Sequence, residues 1–365
     1  MNTKTIILAT SALALLAGCS KSEVLPVESA PQEITFQTVE TKAASGFSQS
    51  NAFYSYAFFL TKANAGWDSN SSNSQAYISN SKITFNTTEK AWKNESTKYY
   101  WPKEGSLTFF AWSDNTSAPA VSDATIGCAN NTGITVTDYD ITSNQNKDLL
   151  VADIAKDKQK NEAHGFDADP GKDWKEGVPT IFKHVLSNVV FTVNTDYATE
   201  NDLYTGVTFK LKSIKFKNVS TKGSYKQGSP SAEATPWTVT AATSGSTLNA
   251  YTGAEITVTN GTATAQAVTP TSSDYSIVLP QTFSDDTPEI EIIYTITTNY
   301  TGTAVTEEIT ATKALKDIYK DTTTSTTSGW TPGKQYTLNI LLGLNEILWD
   351  PDVKDWDTVS NSINI

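Results

Sequence analysis

Reactive side chains are scarce in this 365-residue chain: two cysteines, two histidines and, among 27 basic residues, no arginine. Cys19 closes the stretch Leu16-Ala17-Gly18-Cys19, behind Lys4 and an apolar run from Ile6 to Ala17. A run of about a dozen apolar residues suits the core of an export signal and falls short of a membrane span. Small residues directly before a cysteine resemble a bacterial lipobox, in which the thiol is lipidated and the leader is cut in front of it. Cys19 is therefore the expected lipidation site and residues 1–18 the expected leader. The mature chain would hang from a membrane by acyl chains, each buried CH₂ contributing about 0.8 kcal/mol. The alternative is an ordinary export signal followed by a chance cysteine.

The other candidate groups offer little chemistry. Cys128 lies in the apolar stretch Ile126-Gly127-Cys128-Ala129 and reads as an inert, packed thiol. With Cys19 acylated it has no partner, so a disulfide framework is not expected. His184 falls in an alternating apolar run and reads as a packed, hydrogen-bonded residue. Neither it nor His164 accompanies a G-x-S-x-G nucleophile motif. Asp167, Asp169 and Asp173 around Pro170-Gly171 could supply oxygen ligands to calcium, but they lack the loop length and terminal Glu of an EF-hand. They read as solvated, as do Asp350, Asp352, Asp355 and Asp357. No phosphate-cradling glycine loop and no metal-spaced Cys/His set occurs. Nine tryptophans invite a sugar-stacking role. Most should fill cores, and Trp67, in Gly66-Trp67-Asp68-Ser69-Asn70, is the expected exposed one. The expectation is no catalytic residue, no metal and no cofactor: not an enzyme. A formal charge of −12 repels nucleic acid, and without arginine there is no bidentate recognition of phosphate.

The elements that must position these groups are strands. Thr, Ser, Asn and aromatic residues abound, and long helical runs of Ala, Leu, Glu and Lys are missing. Ile34 and Phe36 alternate with polar neighbours as a short half-buried strand. Strand-like runs follow at Phe53–Leu60, Ile83–Phe85, Leu107–Trp112, Ile134–Val136, Leu149–Ile154, Ile256–Val258, Tyr275–Leu279 and Ile290–Ile296, separated by Asn/Ser/Gly/Asp clusters. Tyr336, Leu338, Ile340 and Leu342 alternate after the turn Thr331-Pro332-Gly333-Lys334. Apolar parity slips near Ser187-Asn188 and again between Leu211 and Ile214, each predicting a β-bulge. One short helix is predicted at Lys313–Tyr319. The fold class is all-β with little helix, in two sandwich-like domains in series. Residues 20–32 read as a tether and 156–177 as a linker, so the domains are expected at 43–177 and 178–365.

Several pieces in order resemble the fimbrillin (Mfa-like) family of Bacteroidota surface lipoproteins. They are Tyr99-Tyr100-Trp101-Pro102, Leu107-Thr108-Phe109-Phe110-Ala111, Asp148-Leu149-Leu150-Val151-Ala152, Phe182-Lys183-His184-Val185-Leu186-Ser187, Leu279-Pro280-Gln281, Trp330-Thr331-Pro332-Gly333-Lys334-Gln335-Tyr336 and Val353-Lys354-Asp355-Trp356. The resemblance spreads over nearly the whole mature chain. It implies two transthyretin-like β-sandwiches and, for the pilus-building members, assembly of type V pili at the outer membrane. A trypsin-like protease removes the first strand, and a strand of the next subunit fills the groove. On that pattern residues 19–42 form a lipidated tether and removable strand carrying Ile34 and Phe36, and Lys42-Ala43 is the processing bond. Pilin members commonly carry Arg at that point, so an arginine-specific protease would not cut here.

A donor strand needs alternating apolar side chains. The tail, 353–365, offers Val359, Ile363 and Ile365 on one parity, with Trp356 on the other as an anchor. The bland alternatives are a tail that is the last edge strand of its own sandwich, a permanent first strand and a solvated loop lysine at 42. Partners on the main reading are other pilin subunits and the outer membrane. A second reading is a lipid-anchored adhesin or pilus-tip module binding a host or glycan ligand. The third and weakest is a surface hydrolase.

Overall fold

The computed structural model describes residues 31–38, 47–160, 177–195, 206–228, 236–258, 265–299, 302–319 and 328–343, together with the backbone of 348–355. In chain order the strands of the first half are β1 (Phe36–Thr38), β2 (Ala52–Leu60), β3 (Gln75–Asn86), β4 (Ala91–Asn94), β5 (Ser106–Ser113), β6 (Thr125–Ala129), β7 (Gly133–Asp140), β8 (Leu150–Ala152) and β9 (Ala155–Lys158). A single-turn helix, α1 (Trp67–Asn70), interrupts them. Then come β10 (Val178–Thr180), β11 (Phe182–His184), β12 (Ser187–Thr195), β13 (Val207–Lys217), β14 (Lys222–Lys226), β15 (Trp237–Val239), β16 (Thr247–Tyr251), β17 (Ile256–Val258) and β18 (Gln266–Val268). The last are β19 (Ile277–Val278), β20 (Gln281–Phe283), β21 (Glu289–Thr298), β22 (Val305–Ala314), helix α2 (Leu315–Ile318), β23 (Ser328–Trp330), β24 (Lys334–Leu342) and β25 (Leu348–Asp355). The protein is all-β with little helix, as its composition predicts.

The first sheet has nine strands in the order β10-β1-β4-β3-β2-β5-β8-β11, with β9 added against β5. Its central strands are apolar on both faces, and both faces are used. On one, Phe53 and Ala57 of β2 and Leu107, Phe109 and Ala111 of β5 join Trp92, Ile83 and Val178 in one core. On the other, Tyr56, Phe58, Leu60, Phe110 and Trp112 join a second core that runs through the rest of the molecule. Doubly buried strands read as near-continuous apolar runs, as in Ala52–Leu60.

The second sheet, β15-β14-β7-β6, joins strands from both halves. Tyr225 of β14 lies opposite Val136 of β7, and the Trp237 indole N–H donates to the Val185 carbonyl at 2.6 Å. The third sheet is β18-β12-β24-β25, with β19 also on β12. The fourth is β16-β13-β21-β22, with β17 also on β13. Val189, Phe191, Val193, Leu338 and Ile340 of the third share a core with Phe209, Leu211, Phe216, Ile290 and Ile292 of the fourth. Phe191 and Phe216 meet at 6.0 Å between ring centres. The expected boundary at 177/178 falls next to β10 and β11, and both strands pair within the first sheet.

The parity slip before Ile214 is a true irregularity, because the β13–β21 register shifts between Leu211 and Ser213. The slip at Ser187-Asn188 is not a bulge. The chain leaves the first sheet after His184 and enters the third at Ser187, opposite Val278. The two apolar parities therefore serve two different ladders. The turn Thr331–Lys334 closes with a Lys334 N–H to Thr331 carbonyl bond of 3.3 Å, and Gly333 takes the required φ of +71°. The helix predicted at 313–319 forms over Leu315–Ile318 alone, as α2, while Lys313 and Ala314 end β22; Leu315, Ile318 and Tyr319 are buried.

Candidate functional site

Residues 32–38 lie in a slot of the first sheet. Upstream of β1, Ile34 N–H donates to Tyr99 O at 2.8 Å, and Trp101 N–H donates to Gln32 O at 3.0 Å. Within β1, Phe36 pairs antiparallel with Trp92 of β4 on one side and parallel with Val178 of β10 on the other. The ladder to β10 continues through Gln37 opposite Pro179 and Thr38 opposite Thr180. Val178 N–H donates to Thr35 O at 2.8 Å. β10 stands at the end of the sheet, so β1 is its ladder neighbour and connects it to β4.

Alternation supplies the side-chain half of the fit. Ile34 is 3% exposed and Phe36 5%. The Phe36 ring meets Phe53 edge-on at 5.6 Å and Phe109 at 5.7 Å. Full burial of such side chains contributes about 1.5–3 kcal/mol each. An ionic clasp lies beside them. Lys93, buried on β4, binds Glu33 at 2.9 Å and Glu89 at 2.5 Å. Glu89 and then Glu33 hold the Lys93 ammonium in its charged form, pushing its pKa up against the effect of burial. Glu33 thereby ties the first segment to the sheet through charge as well as ladder bonds.

Beyond residues 39–46 the chain is anchored again. Phe47 is buried, stacked on Phe182 at 4.8 Å and in contact with Trp92 at 5.4 Å and Phe53 at 6.0 Å. Residues 39–46 thus connect two separately fixed points. Phe47, Lys93 and the whole of β10 escape sequence reasoning. Phe47 is a single aromatic next to a small polar loop, and β10 is only three residues long. Gly177 also belongs to the slot, since a Cβ there would lie 2.9 Å from the Phe36 carbonyl carbon and 3.0 Å from its oxygen. Gly177→Ala should push β10 off β1 and cost about 1–3 kcal/mol, the usual range for overpacking. The expected readout is faster limited proteolysis of the first segment, with a lowered urea midpoint.

Cys19, Lys42, Ala43, Val359, Ile363 and Ile365 lie outside the described residues, as does Trp356. The backbone of β25 pairs antiparallel with β24 from Leu348 to Asp355, so residues 353–355 of the expected tail belong to the edge of the third sheet. Trp67 is corrected: it is 4% exposed and packs on Phe58 and Phe110. Gly66, at φ +95°, precedes α1, and the Asp157 carboxylate accepts the backbone N–H of Trp67 at 2.9 Å. Cys128, half-buried on β6, has its thiol pKa pushed up to about 12 by burial, which suits an inert thiol. His184 Nδ1 lies 2.5 Å from Asp148. Among the described residues no cluster of His, Cys, Asp and Glu is arranged to hold a metal ion.

A family model described as fimbrillin-like matches residues 61–356. The protein belongs to the fimbrillin-like family, and so has a pilus-related structural or adhesion role at the cell surface, with other fimbrial subunits as partners. Among solved structures it is similar to a proposed cell adhesion protein from Bacteroides uniformis, at 16% identity and TM-score 0.45, covering 89% of this chain and 99% of that one. A second, from Parabacteroides distasonis and similarly described, has 12% identity and TM-score 0.46, covering 91% and 98%. The fimbrial anchor protein Mfa2 from Porphyromonas gingivalis has 11% identity and TM-score 0.29, covering 89% and 98%. A search of curated proteins gives no match.

Proposed function

We propose that the chain is a structural pilus subunit, exported as a lipoprotein on Cys19, cut at Lys42-Ala43 and polymerised by donor-strand exchange. The observation that carries this reading is the slot. The segment that bears Ile34 and Phe36 is bonded on both edges, buried on its apolar face, and covalently continuous with the body only through residues 39–46. Its removal would leave β10 and β4 without their shared ladder partner and expose Phe53 and Phe109. An incoming strand with alternating apolar side chains would restore both the ladder and the buried area. Val359, Ile363 and Ile365 supply that alternation.

The test is deletion of residues 356–365, which leaves β25 in place. Surface fibres should fall at least tenfold while the monomer keeps its urea midpoint; undiminished fibres would show that the tail is not the donor. The adhesin reading loses its strongest residue, because the buried Trp67 presents no face for sugar stacking.

A further inference from the structure

The strand β22 ends the fourth sheet and carries a long free edge. It pairs with β21 over its full length, from Glu289 opposite Ala314 to Thr298 opposite Val305, and with no other described strand. Its ten residues are largely exposed, and Val305 is 63% exposed. Such an edge is a template for another strand unless charge or geometry blocks it.

The charges on β22 discriminate among possible neighbours. Glu308 is engaged by Lys212 at 2.7 Å. Among the described residues neither Glu307 nor Lys313 has an ion-pair partner. Six residues apart on one strand, they stand roughly 20 Å from each other and cannot pair within the chain. A second β22 laid antiparallel about Thr310 places Glu307 opposite Lys313 twice, Ile309 opposite Ala311, and Thr310 opposite itself. Ile309 and Ala311 are the partly buried residues of this strand that already pack toward the core, so each would extend the apolar surface of the other. Only the register about Thr310 sets Glu307 against Lys313, and some alternatives carry a penalty. Centring on Glu308 opposes it to its own copy, and a parallel pairing opposes Glu307 to Glu307; directly opposed like charges are destabilising.

We propose that β22 is a self-docking edge, through which two copies of this chain pair side by side, antiparallel about Thr310. A two-fold contact of this kind uses the same patch on both subunits and closes on itself. It uses no residue of the first sheet's slot and none of the tail, and so stands whether or not strand exchange does.

The test uses the full chain carrying Cys19→Ser, with sedimentation equilibrium and oxidative cross-linking. The parent should show a concentration-dependent dimer. Glu307→Lys should weaken it about tenfold, and Glu307→Lys with Lys313→Glu should return it to within about threefold, since each exposed pair is worth up to about a factor of five. Thr310→Cys should cross-link between copies, the opposed Cα atoms being within disulfide reach. Thr306→Cys, opposite Ala314, should not. A chain that stays monomeric at every concentration overturns the proposal. So does a dimer indifferent to Glu307→Lys, or cross-linking of Thr310→Cys no faster than of Thr306→Cys.

Discussion

Replacing Phe36 with Ala is expected to lower the stability of the uncut chain by about 3–5 kcal/mol, the range for a buried Phe truncated to Ala. The ring fills the space between Phe53 and Phe109, and both flanking strands are fixed by the β1 backbone, so neighbours cannot close over the void. The loss is capped by the free energy that docks the segment. Once β1 leaves, Phe36 has nothing further to contribute. Urea denaturation should therefore show a lowered midpoint, and hydrogen exchange at Ile34 and Val178 should accelerate by about two decades or more. In a chain already cut after Lys42 the same substitution should do nothing to the body. An unchanged midpoint in the uncut chain would mean that β1 contributes little to it, and the slot would lose its significance.

The second large effect concerns processing. Lys42→Gln should stop cutting by a lysine-accepting trypsin-like protease and reduce surface fibres at least tenfold, with a lipidated chain starting at Cys19 accumulating in their place. Lys42→Arg should keep both, because either cation can serve such an enzyme. N-terminal sequencing with intact mass of surface material reads the outcome directly: Ala43 as first residue in the parent, Cys19 in the variant. The packing says what such a cut would do. Phe47 would stay with the body, packed on Phe182 and Trp92, while the strand before the cut would lose its covalent link. Fibres from Lys42→Gln cells at the parent level would rule this bond out as the processing point.

Strands with clean alternation were legible as residues. Tyr336, Leu338, Ile340 and Leu342 bury one face of β24, and the slip before Ile214 marks a real register shift. Class and local elements follow from side-chain period because that period is set by the strand itself. What pairs with what does not. The union of β7 with β14 joins hairpins far apart in sequence, and both have the same local look as any other hairpin. The change of sheets at Ser187 produced the same parity signature as a bulge, since parity records only which way a residue faces. Trp67 misled for a related reason: a polar, turn-rich neighbourhood describes the backbone's exposure and says nothing about where one indole points. In the slot, Ile34 and Phe36 were visible by alternation, whereas Glu33, Phe47 and Gly177 matter only through contacts made elsewhere in the chain.

β1 also has a place in the order of synthesis. It is made long before its parallel neighbour: the residue opposite Phe36 is Val178, about 140 positions later. During synthesis the N-terminal strand must wait, unpaired on that side, until β10 emerges. Closing so large a loop carries an entropic cost that grows only slowly with length, but the search for the pairing is slow. β4 and the Tyr99–Trp101 segment are made earlier and can hold the strand provisionally by one edge. The ladder along the β10 side, beginning at Gly177-Val178, is therefore the last of this strand's pairings that synthesis makes possible.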